Sequence, residues 1–117
     1  MVNSRQLDQS FLALSHPIRR GIVERLGQGR ATVGEASRDF GVSKPAISKH
    51  LKVLEDAGVV EREVEGRSHW LNLRSKPLAE ASEWMEQQRE LWERKFDAVE
   101  QFLDEQRGRT HQKKEEV

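Results

Sequence analysis

The chain has 117 residues, 35% hydrophobic and 34% charged, with 20 basic and 20 acidic side chains and no cysteine. That length supports one domain with a lean core, part of whose apolar surface a partner chain can complete. The lack of Cys excludes disulfides, thiolate metal sites and thiol redox chemistry. No apolar run approaches bilayer-spanning length and no signal-peptide core opens the chain, so a soluble, cytoplasmic protein is expected, without a membrane partner. Neutrality conceals a split: residues 1–76 hold 13 basic and 9 acidic side chains, residues 77–117 hold 7 and 11. The two parts are expected to have separate jobs.

In chain order, Leu7, Phe11 and Leu14 fall at i, i+4, i+7 and predict a short amphipathic helix. Ser15 is placed to cap a second helix, with Pro17 in its first turn and Ile18, Ile22, Val23 and Leu26 as the buried face. Gly27 to Gly29 stops it. Thr32 and Glu35 have capping-box spacing and open a third helix over 33–40, with Val33, Ala36 and Phe40 inward. Gly41-Val42 is a tight turn. Ser43 then caps a fourth helix over 44–57, striped by Ile47, Leu51 and Leu54 and ended by Gly58.

The period changes after Gly58. "VVEREVEGRSHWLNL" alternates as two strands, 60–64 and 68–73, joined at Glu65-Gly66. From Pro77 to about Arg107 a long helix is predicted, striped by Leu78, Ala81, Met85, Gln88, Trp92, Phe96, Val99 and Leu103 and widened by Trp84, Leu91 and Phe102. The tail 108–117 is polar and without periodicity, and is expected to be disordered. The fold class is therefore mainly α with a small β-hairpin wing, as a single domain over 1–107 whose last helix, 76–107, dimerises.

The fourth helix carries Lys44, Lys49 and Lys52 and holds its acids, Glu55 and Asp56, at its far end. Lys44, Pro45, Ser48, Lys49 and Lys52 lie off the core stripe. A helix-turn-helix followed by a two-stranded ribbon places such a helix in the major groove of double-stranded DNA. Positive charge at the docking face releases phosphate counterions. Arg67, at the ribbon tip, adds a contact to backbone or minor groove. The acids Glu61, Glu63 and Glu65 flank it on the strand face opposite Arg62 and Val64.

The stretches "LSHPIRRGIVERL" and "TVGEASRDFGVSKPAISKHLKVLEDAGVVEREVEGRSHWLNL", with the aromatic-rich last helix, resemble the ArsR-type winged helix-turn-helix regulators over residues 7–105. The resemblance implies a homodimeric bacterial repressor on palindromic operator DNA. By matching position it places Ser43 to Lys52 in the recognition-helix docking segment and Arg67 at the wing tip. The chain departs from the metal sensors of that family: "TVGEASRDF" has no Cys and residues 77–107 have no His. No metal, cofactor or inducer is therefore inferred.

His16, His50, His69 and His111 fall on four different elements without i, i+4 partners, which favours surface or hydrogen-bonding roles over zinc ligation. Ser48 and His50 point to different faces and make no nucleophile–base pair. With no phosphate loop or carboxylate pair in an apolar setting, an enzyme is not expected. A last helix of about 30 residues spans roughly 45 Å, more than a small winged-helix body covers. Trp84, Met85, Leu91, Trp92, Phe96 and Val99, helped by Leu7 and Phe11, are thus expected to form a dimer interface. The alternative is a winged-helix module that binds a partner protein and not DNA.

Overall fold

The computed structural model describes the backbone of residues 3–115 and the side chains of residues 3–109. The chain divides into two units, residues 1–82 and 83–117, where the sequence pattern draws one domain over 1–107.

Helix α1 (Ser4–Leu14) starts at Asn3, whose side chain accepts from the Arg5 amide at 2.9 Å. Its inward face is Leu7, Ser10 and Ala13, rotated from the expected Leu7, Phe11 and Leu14. The small residues let α1 lie close on its neighbours. The Gln6 amide satisfies the buried Ser10 hydroxyl at 3.2 Å and also donates to the Ala57 carbonyl at 2.9 Å. Helix α2 (Pro17–Leu26) is capped by His16 and not by Ser15: His16 Nδ1 accepts from the Ile18 amide at 3.1 Å. Ser15 closes α1 instead, donating to the Leu12 carbonyl at 2.7 Å. With two residues between the helices, one serves each end.

Strand β1 (Ala31–Thr32) leads into α3 (Val33–Ser37), shorter than the predicted 33–40. Thr32 Oγ1 accepts from the Glu35 amide at 3.2 Å, while the Glu35 carboxylate pairs with Arg25 at 3.7 Å. The turn closes with Gly41 at φ 64°, a left-handed conformation that L side chains enter at a cost. Phe40 fills a slot over α2, where a Cβ on Gly21 would stand 2.5 Å from its ring.

Helix α4 (Lys44–Asp56) has Ser43 as its cap, with Oγ accepting from the Ala46 amide at 3.3 Å, and buries Ile47, Leu51 and Leu54 as predicted. The wing is β2 (Val60–Glu65) and β3 (Ser68–Leu73), paired antiparallel from Val60↔Leu73 to Glu65↔Ser68. Its turn is Gly66-Arg67, one residue later than predicted, with Gly66 at φ 60°. The sheet order is β1-β3-β2, with Ala31 opposite Leu71. Ile22, Leu51, Leu54, Val59 and Leu71 are the fully buried centre of the core.

Helix α5 runs Ser75–Glu115. Within the first unit, Leu78 packs on the core and Ala81 is buried. The expected disordered tail is corrected over 108–115, where the backbone is helical. Apolar periodicity stops at Leu103, but the Gln-, Arg-, Lys- and Glu-rich sequence beyond it keeps helix propensity, with Gly108 the weakest position. The side chain of His111 and residues 116–117 lie outside the described ones. No described helix is long and apolar enough to cross a membrane.

Candidate nucleic-acid interface

The residues assigned to DNA sit on three consecutive pieces of one unit: the Ser43 cap, the outer face of α4, and the wing turn. Ser43, Lys44, Pro45, Ser48, Lys49, Lys52 and Arg67 are all exposed. Ile47, Leu51 and Leu54, interleaved among them, are at most 6% exposed. The helix is thus split lengthwise into an embedded face and a free one, with the lysines on the free one. Pro45 fits because the first turn of a helix needs no N–H from it.

Between α3 and the wing lies an open groove of about 510 Å³, lined by Thr32, Val33, Gly34, Arg62, Arg67, Ser68 and His69. Arg62 does not reach out freely. It grips Glu55 Oε1 through Nε at 3.1 Å and Nη2 at 2.6 Å, and meets His69 Nδ1 at 3.3 Å. That pair gives a carboxylate at the end of α4 a cationic partner. The wing acids are also partnered: Arg30 lies 3.7 Å from Glu63 and 3.4 Å from Glu65, and Arg74 lies 3.1 Å from Glu61. The Arg30 guanidinium stacks 4.2 Å over the Trp70 ring. Each exposed pair contributes little stability, but together they offset the negative face that sequence alone sets against phosphate.

Behind α4 is a cluster that sequence spacing did not reveal. The His16 and His50 rings meet in a tilted contact, with centroids 4.4 Å apart and planes at 43°. Arg19 Nη1 approaches His50 Nδ1 at 3.0 Å, and its other nitrogens donate to the carbonyls of Ala13 and Leu12 and to Ser15 Oγ, at 2.9–3.1 Å. His50 is pushed below its ordinary value of 6.5, first by burial and then by the nearby His16 and Arg19. Two histidines that share no helix register come together because the α1–α2 corner folds onto α4.

Of the residues assigned to dimerisation, Leu7 is 9% exposed in the single chain and offers a partner little surface. Phe11, Trp84, Met85, Leu91, Trp92, Phe96 and Val99 keep between 36% and 62% of their surface. On the second unit, the Trp92 and Phe96 rings lie 6.1 Å apart beside Lys95 and line an open hollow. Among the described residues, no group of three or more His, Asp or Glu is placed to hold a metal ion.

A three-stranded antiparallel sheet with a turn-linked helix pair, its second helix free on one face, defines a winged helix-turn-helix. Residues 14–63 match the family described as "Helix-turn-helix domain". The chain is 50% identical over 60 residues to the HTH-type transcriptional regulator Rv2034 of Mycobacterium tuberculosis, covering 51% of this chain and 56% of that protein's length. It is 34% identical over 79 residues to the transcriptional repressor SdpR of Bacillus subtilis, covering 68% of this chain and 88% of the repressor. The crystal structure of an ArsR family transcriptional regulator, RHA00566, superposes with a TM-score of 0.74 at 35% identity, covering 79% of this chain and 95% of that one. The chain belongs to the ArsR-type family of winged helix-turn-helix transcriptional regulators, and its kinship supports a DNA-binding repressor.

Proposed function

We propose that the chain represses transcription as a homodimer, reading an inverted-repeat operator with α4 of each protomer in successive major grooves. The observation that carries this is the lengthwise split of α4: Lys44, Ser48, Lys49 and Lys52 stand free while Ile47, Leu51 and Leu54 hold the helix down. Lysines on that face displace phosphate counterions, and Ser48 is set to meet base edges. Arg67 follows the backbone beside the groove, its flanking carboxylates held by Arg30 and Arg74. Repression follows from occupancy, since a dimer on promoter DNA blocks polymerase.

The apolar stripe from Trp84 to Phe102 supplies the dimer contact, which sets the two α4 helices about one helical turn of DNA apart. The same stripe supports a second reading, a docking face for a different protein with no DNA bound. Footprinting of the purified protein on its own promoter region distinguishes them. A protected inverted repeat is expected. A dimer that protects no promoter sequence and shows no salt-dependent DNA binding overturns the first reading.

A further inference from the structure

We infer that Arg19, His50 and His16 form a proton-sensitive strut that positions the recognition helix, so that protonating His50 releases α4 from the α1–α2 corner and weakens DNA binding. The inference rests on the DNA-reading role of α4 proposed above. A guanidinium has donors and no acceptor. His50 Nδ1, 3.0 Å from Arg19 Nη1, therefore accepts, and the ring is neutral with its proton on Nε2. Arg19 is itself anchored, because its remaining nitrogens donate to the Ala13 carbonyl and to the Leu12 carbonyl that Ser15 also caps, at the end of α1. The chain of contacts thus runs from the end of α1 through Arg19 to the middle of α4.

His16 closes the second side. Its Nδ1 accepts from the Ile18 amide as the cap of α2, which fixes that ring in its tilted contact with His50, centroids 4.4 Å apart. The titratable and charged groups bearing on His50 are Arg19 and His16 from the α2 side. The α1 end contributes carbonyls and the Ser15 hydroxyl, and α4 itself contributes the flanking Lys49 and Lys52. Adding a proton to Nδ1 turns the acceptor into a donor facing a donor and sets two cations side by side. The contact cannot survive in that form. The lowered His50 pKa has the same sign: the folded chain favours the neutral ring. The strut's contribution is therefore complete above about 6.5 and is lost as pH falls through the depressed folded value.

The sign of the DNA response separates positioning from charge. A protonated imidazole on α4 adds positive charge to a phosphate-binding surface, which alone strengthens binding in acid. Loss of the strut weakens it. The test compares the parent with His50→Asn, which keeps a short side-chain acceptor and does not titrate. Hydrogen exchange of the α4 amides, corrected for intrinsic rate, and affinity for the footprinted operator are followed from about pH 7.5 to about pH 5.5. The parent is expected to lose about tenfold in both relative to His50→Asn, a change of about 1.4 kcal/mol. Equal pH slopes in the exchange of the two proteins, or a parent whose affinity rises in acid relative to the variant, overturn the inference. The exchange measurement decides it even if no operator is found, so its failure is distinct from failure of the DNA reading. Should His50→Asn not fold, Arg19→Lys replaces it, and a pH step in α4 exchange that stays undiminished in that variant overturns the strut.

Discussion

Trp92→Ala tests the dimer at its most exposed tryptophan. In the single chain Trp92 keeps 60% of its surface and Phe96 keeps 62%, so the pair is available to a partner. Covering what remains of one tryptophan removes about 150 Å² from water, or about 4 kcal/mol at about 25 cal/mol/Å². A two-fold interface contains the residue twice, which doubles the ceiling. If about half of that area is covered in the dimer, the loss is about 4 kcal/mol, or about a thousandfold in the dimer dissociation constant. Sedimentation equilibrium across a concentration series reads this directly. The variant should be monomeric at micromolar concentration with its helix content intact. Operator affinity should fall although Lys44, Ser48, Lys49 and Lys52 are untouched. A dimer constant that stays within about threefold of the parent's would refute the assignment of the interface to this stripe.

Three further outcomes are expected. With about six to eight phosphates neutralised per dimer, log K should fall with log salt at a slope of about −5 to −7, and Lys49→Ala or Lys52→Ala should each flatten it by about 2 without shifting the unfolding midpoint. Gly41→Ala, forced into φ 64°, should destabilise by about 1 kcal/mol in urea titrations, whereas Gly34→Ala, in α3 with open space at its Cβ position, should stabilise by about 0.5 kcal/mol. Zinc added at near-stoichiometric amounts should give no tight calorimetric isotherm and should leave the operator complex intact in a gel shift.

What the sequence made legible was local. Ser43, the Ile47–Leu51–Leu54 spacing and Gly58 define α4 within sixteen residues, and the structure places the helix there. Strand alternation found the wing to within one residue at its turn. Features that depend on distant partners were not legible. Strand β1 has two residues and exists because β3 accepts it. Ser15 and His16 are both able to cap α2, and Arg19 of α2, donating to Ser15 Oγ, accompanies the choice of His16. The inward face of α1 is decided by how closely Ser10 and Ala13 let it approach, which hydrophobic spacing does not report. The Arg62–Glu55 and Arg30–Glu63 pairs join residues whose separation in sequence carries no periodic signal. For α5, the apolar stripe marks where burial is wanted and not where the helix ends.

The division of α4 into an embedded and a free face has a consequence for how such a protein changes its target. Because Ile47, Leu51 and Leu54 keep the helix seated, Lys44, Ser48, Lys49 and Lys52 are open to replacement at little cost in stability, since exposed substitutions on such a surface shift it by about 0.5 kcal/mol or less. On the proposed DNA reading, exchanging these side chains alters affinity through the lysines and base preference through Ser48 while the scaffold stays unaltered. Copies of this chain that arise by duplication can diverge in the promoters they occupy while folding equally well.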